Sequence, residues 1–160
     1  CDPSDGRLDD RRPALRAPMK YRMGAALLGL IGVLVSTYLY LYKLGMIPGL
    51  ACGTGACETV QASPWATFLG LPVALIGVLG YLACTGLAIY AMEKGGDRRT
   101  RADALLLAGA ALGVGFTGWL SYAEAVLIGA WCRWCLGSAA IISLLFVAAL
   151  LNWRSLRPTT

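Results

Sequence analysis

Apolar residues in this chain fall in four long blocks separated by short polar stretches: roughly Gly24–Tyr42, Gly70–Met92, Ala104–Tyr122 and Cys132–Leu151. Each reaches or approaches the ~20 residues that a helix needs to cross a bilayer. None contains Asp, Glu or Lys, and Arg133, at the start of the fourth, is their one basic residue. Gly and Ala recur inside them, as expected where small residues let membrane helices approach closely. The pattern predicts an all-α membrane protein, a four-transmembrane-helix bundle. An outward loop with a short surface helix, Pro64–Phe68, joins its first two helices. The first block is too long, and lacks the small-residue cleavage site, for a removed signal peptide.

Composition agrees: 58% of the 160 residues are hydrophobic and 14% charged, against about half and about a quarter in soluble domains. The net charge of +5 is informative through its placement. Arg7, Arg11, Arg12, Arg16, Lys20 and Arg22 precede the first block. Lys94, Arg98, Arg99 and Arg101 lie between the second and third, and Arg154 and Arg157 follow the fourth. The other connections hold only Lys43 and Arg133. By the positive-inside rule both termini and the middle connection are cytoplasmic, and the first and third connections face outward. The basic clusters thus read as topology signals, and no nucleic-acid partner is expected. The expected layout is a disordered tail over 1–20, a transmembrane domain over 21–153 and a short tail over 154–160. A chain opening on Cys1 reads as a fragment or a processed start; a lipidated Cys1 would oppose the tail's charge.

Topology sorts the six cysteines. Cys52 and Cys57 fall in the first outward loop, and Cys132 and Cys135 at the outer mouth of the fourth helix. All four lie on the oxidising side, where disulfides persist. Cys84, at mid-depth in the second helix, reads as a small buried apolar residue. Cys132 and Cys135 have the spacing of a reversible redox pair. They open a helix, so free N–H groups and the dipole favour a thiolate, and Arg133 adds positive charge. Gly53 and Gly55 leave the Cys52–Cys57 loop free to swing. Four zinc ligands are a competing reading, but no His is present and a large apolar bundle needs no metal staple. Two static disulfides on a non-catalytic scaffold are another, although a CxxC bridge closes too small a loop to constrain the unfolded chain much.

Beyond Cys57 the sequence runs Val60, Ser63, Trp65, Phe68, Gly70 and Pro72, followed by Gly77 and Tyr81. The pattern Cys-x-x-Val-x-x-Ser, an aromatic two residues on, then Gly-x-Pro opening the second helix, resembles the vitamin K epoxide reductase family. The CxxC at the start of the fourth helix fits as well, and the resemblance covers about Tyr21–Asn152. The DsbB family places its CxxC in the first outward loop instead.

The resemblance implies a relay. Cys52 would be attacked by a separate, DsbA-like thioredoxin-fold partner, with Cys57 its resolving companion. Cys57 would exchange with Cys132, and Cys135, deepest, would deliver electrons to a membrane quinone (ubiquinone or menaquinone). It implies a bacterial cytoplasmic membrane and a role in disulfide formation in exported proteins. Ser63 is the family's candidate hydrogen-bond donor to a quinone carbonyl; on its own it reads as a helix N-cap. Trp65, Phe68, Trp131 and Trp134 are candidate pocket residues, with Phe116, Trp119 and Tyr122 at the same level; each alone reads as a packing or interface aromatic. Glu124 reads as a solvated loop carboxylate, with proton movement as its alternative role. Epoxide-reducing animal members carry Tyr four residues after the second CxxC cysteine. Ala139 stands there, so quinone rather than epoxide reduction is expected.

Overall fold

The computed structural model describes residues 11–53 and 56–156, with the side chains of 11–18 left out. Four of its helices are long and apolar enough to cross a membrane: α1 (Arg11–Lys43), α3 (Val73–Glu93), α4 (Gly96–Tyr122) and α5 (Arg133–Leu156). The short α2 (Ala56–Ala62) follows the first connection. After it come a 3₁₀ turn at Pro64–Ala66 and a two-stranded antiparallel ribbon, β1 (Thr67–Phe68) with β2 (Leu71–Pro72). The surface segment is therefore not wholly helical. Pro64 can open a tight turn, but Leu69 and Gly70 both adopt positive φ, 52° and 82°, which reverses the chain into a two-residue hairpin.

Helix α1 packs on α3 and α5, and α4 closes the bundle against the same two. Small residues set the spacing. A Cβ on Gly32 would lie 2.3 Å from the Tyr81 ring, and one on Gly113 would lie 2.8 Å from Ile142. Core residues Tyr81, Cys84, Leu106, Ile142 and Leu145 fill the middle. Large apolar side chains such as Leu34, Leu79 and Leu112 cover the outside, as a lipid-facing surface requires.

Two ends differ from the sequence expectation. Helix α1 begins at Arg11, inside the tail expected to be disordered; residues 1–10, Cys1 included, lie outside those described. Arg11, Arg12, Ala14, Leu15, Arg16 and Ala17 are good helix formers, and Pro13 falls in the first turn, where its missing N–H costs nothing. At the other end α5 runs on to Leu156, and residues 157–160 are not described. Arg22 is also no free tail charge. It is 1% exposed, and its Nε and Nη2 donate to both carboxylate oxygens of Asp103 at 2.9 and 2.5 Å. Asn152 Nδ2 donates to the same carboxylate at 3.0 Å, so one acid ties α1, α4 and α5 together at the ends remote from the paired cysteines.

Candidate active site

The first connection carries the outer pair. Cys52 and Cys57 form a disulfide, with Cα atoms 6.1 Å apart. Cys57 opens α2, while Cys52 sits on a turn in which its N–H donates to the Leu50 carbonyl at 2.7 Å and Gly53 takes φ 73°. Three hydrogen bonds hold this loop down. Leu50 N–H donates to Glu58 Oε1 at 3.2 Å, Ala51 N–H donates to the Tyr38 hydroxyl at 3.2 Å, and Lys43 Nζ donates to the Gln61 carbonyl at 2.6 Å. Cys52 is 3% exposed as a result, so the pair expected to meet a partner is covered in this conformation.

The inner pair opens α5. Cys132 caps that helix: its carbonyl accepts from Leu136 N–H at 2.9 Å, and its Sγ accepts from Cys135 N–H at 3.2 Å. Sulfur here takes the place that a serine or aspartate oxygen fills at ordinary N-caps. Both thiols are free. The Cys132 thiol is held below its ordinary range, first by the hydrogen bond from the Cys135 side chain. The backbone N–H groups of Cys135 and Trp134 push the same way, against burial and the nearby Glu124 charge. Arg133, expected to contribute, is exposed; helix-terminal donors act instead. Cys52, Cys57 and Cys132 pack in one buried cluster, with Cys135 at its edge.

Behind Cys135 lies a mainly apolar cavity of about 350 Å³ between the four long helices. Glycines 77, 80, 109 and 113 make the room, and Ser36, Gln61, Tyr81, Thr117, Ser138 and Glu124 supply the polar edges. Its size and lining suit a planar, lipid-soluble ring with a few polar substituents. The Tyr81 hydroxyl donates to the Ser138 carbonyl at 2.7 Å, fixing α3 to α5 on the cavity wall. Cys84, expected to be buried and apolar, is 5% exposed and lines it too.

The residues expected around a quinone divide. Ser63 and Trp65 line a smaller cavity, about 40 Å³, which also touches Glu124 and Cys135. The Ser63 hydroxyl donates to the Val60 carbonyl at 2.6 Å instead of capping the next turn. Trp65 packs edge-on against Trp119, and Phe68 against Phe116, a wall residue of the larger cavity. Trp134 stacks at a tilt on Tyr38, 5.0 Å between centroids. Trp131 is 52% exposed and lines neither cavity.

Glu124 overturns its reading as a solvated loop residue. The chain leaves α4 through a π-helical turn, Ala123–Ile128, ended by Gly129 at φ 69°. That wider turn carries Glu124 inward, to 4% exposure, where its Oε2 accepts the Cys132 N–H at 3.0 Å. Its carboxyl lies beside the Cys135 thiol, and the two residues line the same two cavities. No periodicity marks a π turn, so only the acid itself, eight residues before Cys132, was visible in the sequence.

A disulfide, a free CxxC pair and a cavity thus meet at one end of a four-helix bundle. The model of the vitamin K epoxide reductase family matches residues 24–150. The chain belongs to that family. As a vitamin K epoxide reductase family protein it is a multi-pass membrane protein with membrane redox activity, an oxidoreductase in a family that is quinone-linked in general. The family generally works with thioredoxin-like partners.

Proposed function

We propose that this protein re-oxidises a DsbA-like thioredoxin-fold partner and passes the electrons to a membrane quinone, supporting disulfide formation outside the cytoplasm of a bacterium. The observation that carries the reading is the position of Cys132 and Cys135. Cys132 packs with the Cys52–Cys57 bridge, while Cys135 faces the cavity. Electrons entering at the loop have a path to the cavity through that second pair. The placement of Lys and Arg supports an orientation with both termini in the cytoplasm and the cysteines outside.

Each transfer is thiolate attack through a mixed disulfide. A partner thiolate attacks Cys52 and releases Cys57. The partner's second thiolate then frees Cys52. Cys57 attacks Cys132 of the oxidised inner pair and releases Cys135, and Cys52 attacks Cys57, which re-forms the outer bridge and releases Cys132. Cys132 suits the middle position, since a thiol held below its ordinary range is a good leaving group. A bound quinone supplies a two-electron, two-proton acceptor. The chain orients it, with Cys135 at one edge of the cavity, Ser36 and Gln61 available as polar contacts and the apolar helices excluding water. Ser63, Trp65 and Phe68 cap this end of the bundle, with Trp131 and Trp134 at the rim.

The test uses the full chain in lipid nanodiscs, a reduced thioredoxin-fold partner and either ubiquinone or menaquinone. Loss of quinone absorbance is expected, and Cys135→Ser should abolish it. Cys52→Ala should stop turnover with the partner while sparing reduction by a small dithiol. No loss of absorbance with either quinone overturns the reading.

A further inference from the structure

Two acidic side chains are buried among the described residues, Asp103 and Glu124. Asp103 is neutralised by Arg22, whereas Glu124 has no ion-pair partner among those residues. Its contacts are the Cys132 N–H and the Cys135 thiol, and it lines both cavities that Cys135 lines. A negative charge buried without a cation is costly unless hydrogen bonds or a proton offset it. The inner pair faces the same difficulty. Opening the Cys132–Cys135 bridge by attack on Cys132 expels Cys135 as a thiolate into an apolar cavity.

We propose that Glu124 is a catalytic residue that carries the proton of Cys135, giving it as the inner disulfide opens and taking it back as that disulfide closes. The proposal rests on the relay direction given above. On opening, the Cys57 thiolate bonds to Cys132, the Cys132–Cys135 bond breaks, and its electron pair goes to Cys135. Protonated Glu124 gives its proton to that sulfur and becomes a carboxylate. On closing, Cys132 and Cys135 lose two electrons to the quinone and form their bond, and Glu124 takes the Cys135 proton. Glu124 then passes that proton across the cavity to one quinone oxygen; water at the outer mouth supplies the other and re-protonates Glu124 before the next opening.

The titratable groups facing Glu124 are few. Cys132 and Cys135 touch it from the start of α5, and Tyr81 and Cys84 of α3 share the larger cavity. From α1 and α2 the cavity receives Ser36, Leu39 and Gln61, which do not titrate, while Lys43 is engaged on the Gln61 backbone.

The test follows opening of the Cys132–Cys135 bridge without quinone. Fully oxidised protein is mixed with a small dithiol over a range of pH, quenched with acid, and its thiols counted by alkylation and mass spectrometry. Wild type should give a bell-shaped profile: rising as attacking thiolate forms, then falling as Glu124 loses its proton. Glu124→Gln keeps an oxygen for the Cys132 N–H but cannot carry a proton. It should slow opening about 100-fold, the lower end of general acid–base effects, and lose the descending limb. Glu124→Asp should restore that limb at an intermediate rate, and its comparison with wild type stands if Gln weakens the bundle. Equal rates and profiles in wild type and Gln overturn the proposal, leaving Glu124 a positioning acceptor for the helix start. A wild type that shows the bell but reduces no quinone supports the carboxylate's role and overturns the acceptor.

Discussion

Cys132 does two tasks with one sulfur atom. It caps α5 by accepting the Cys135 N–H, and its thiol is lowered by the Cys135 side chain and by helix-terminal N–H groups. Because its folded value is depressed, the thiolate form persists to lower pH than in the unfolded chain. Its contribution to stability is present above the unfolded cysteine value and is lost as pH falls through the folded one. In a variant with Cys1, Cys52, Cys57 and Cys84 replaced by Ala, thiolate ultraviolet absorbance should show one inner thiol ionised at pH values where free cysteine is protonated. Cys135→Ala removes the largest cause and should move that titration upward; an unmoved titration would assign the effect to the backbone alone. The four paired cysteines were legible because spacing and charge placement are local or additive properties. Glu124 was not, since its burial depends on a π turn and on Gly129 aiming it back at α5.

At the scale of elements, the four long helices were legible because a bilayer demands continuous apolar length, which any reading of the chain exposes. Their ends were less so. The sequence expectation began the third helix at Ala104, whereas α4 starts at Gly96 and includes the basic run through Arg101. Charged residues past the hydrocarbon boundary extend a helix without an apolar signal. The first connection carries the more consequential detail: read from Gly53 and Gly55 as a flexible shuttle, it has Leu50 and Ala51 hydrogen-bonded and Cys52 buried, while residues 54–55 lie outside those described. Tyr38 matters most here, because its ring lies against Trp134 while its hydroxyl holds Ala51, next to Cys52. Tyr38→Phe keeps the ring contact and frees one backbone N–H, a loss of about 1 kcal/mol. If the loop must lift before a partner reaches Cys52, that change raises the open fraction roughly fivefold. Mixed-disulfide formation by a reduced partner that lacks its own second cysteine, attacking the intact Cys52–Cys57 bridge, should accelerate to a similar degree. An unchanged rate would mean that Tyr38 does not limit opening.

Across the whole molecule, the cavity and the remote ion pair are collective features that no single stretch encodes. The cavity draws its glycines from α3 and α4 and its polar groups from every long helix. Its shape depends on Tyr81, whose ring sits over Gly32 while its hydroxyl reaches α5. Gly32→Ala would place a methyl 2.3 Å from that ring, forcing it to shift at about 1–3 kcal/mol. The expected result is a lowered melting temperature together with a higher KM for quinone, read from quinone bleaching.

The Arg22–Asp103 pair raises a sharper question, because buried ion pairs seldom stabilise more than apolar replacements do. Arg22 and Asp103 are 81 positions apart and both wholly buried, and Arg22 Nη1 and Asn152 Oδ1 lack partners among the described groups. Imperfect satisfaction of this kind argues that the cluster fixes which helices meet rather than how tightly they hold. Asp103→Ala strands the guanidinium and should cost about 3–5 kcal/mol in a melting experiment. Arg22→Met with Asp103→Leu removes both charges and should recover most of that loss. Should the double variant stay as unstable as the single, the pair is a net source of stability. Should it recover stability while cross-linking between α1 and α4 shows altered register, the pair's contribution is to specify the packing that brings Cys135 to the cavity.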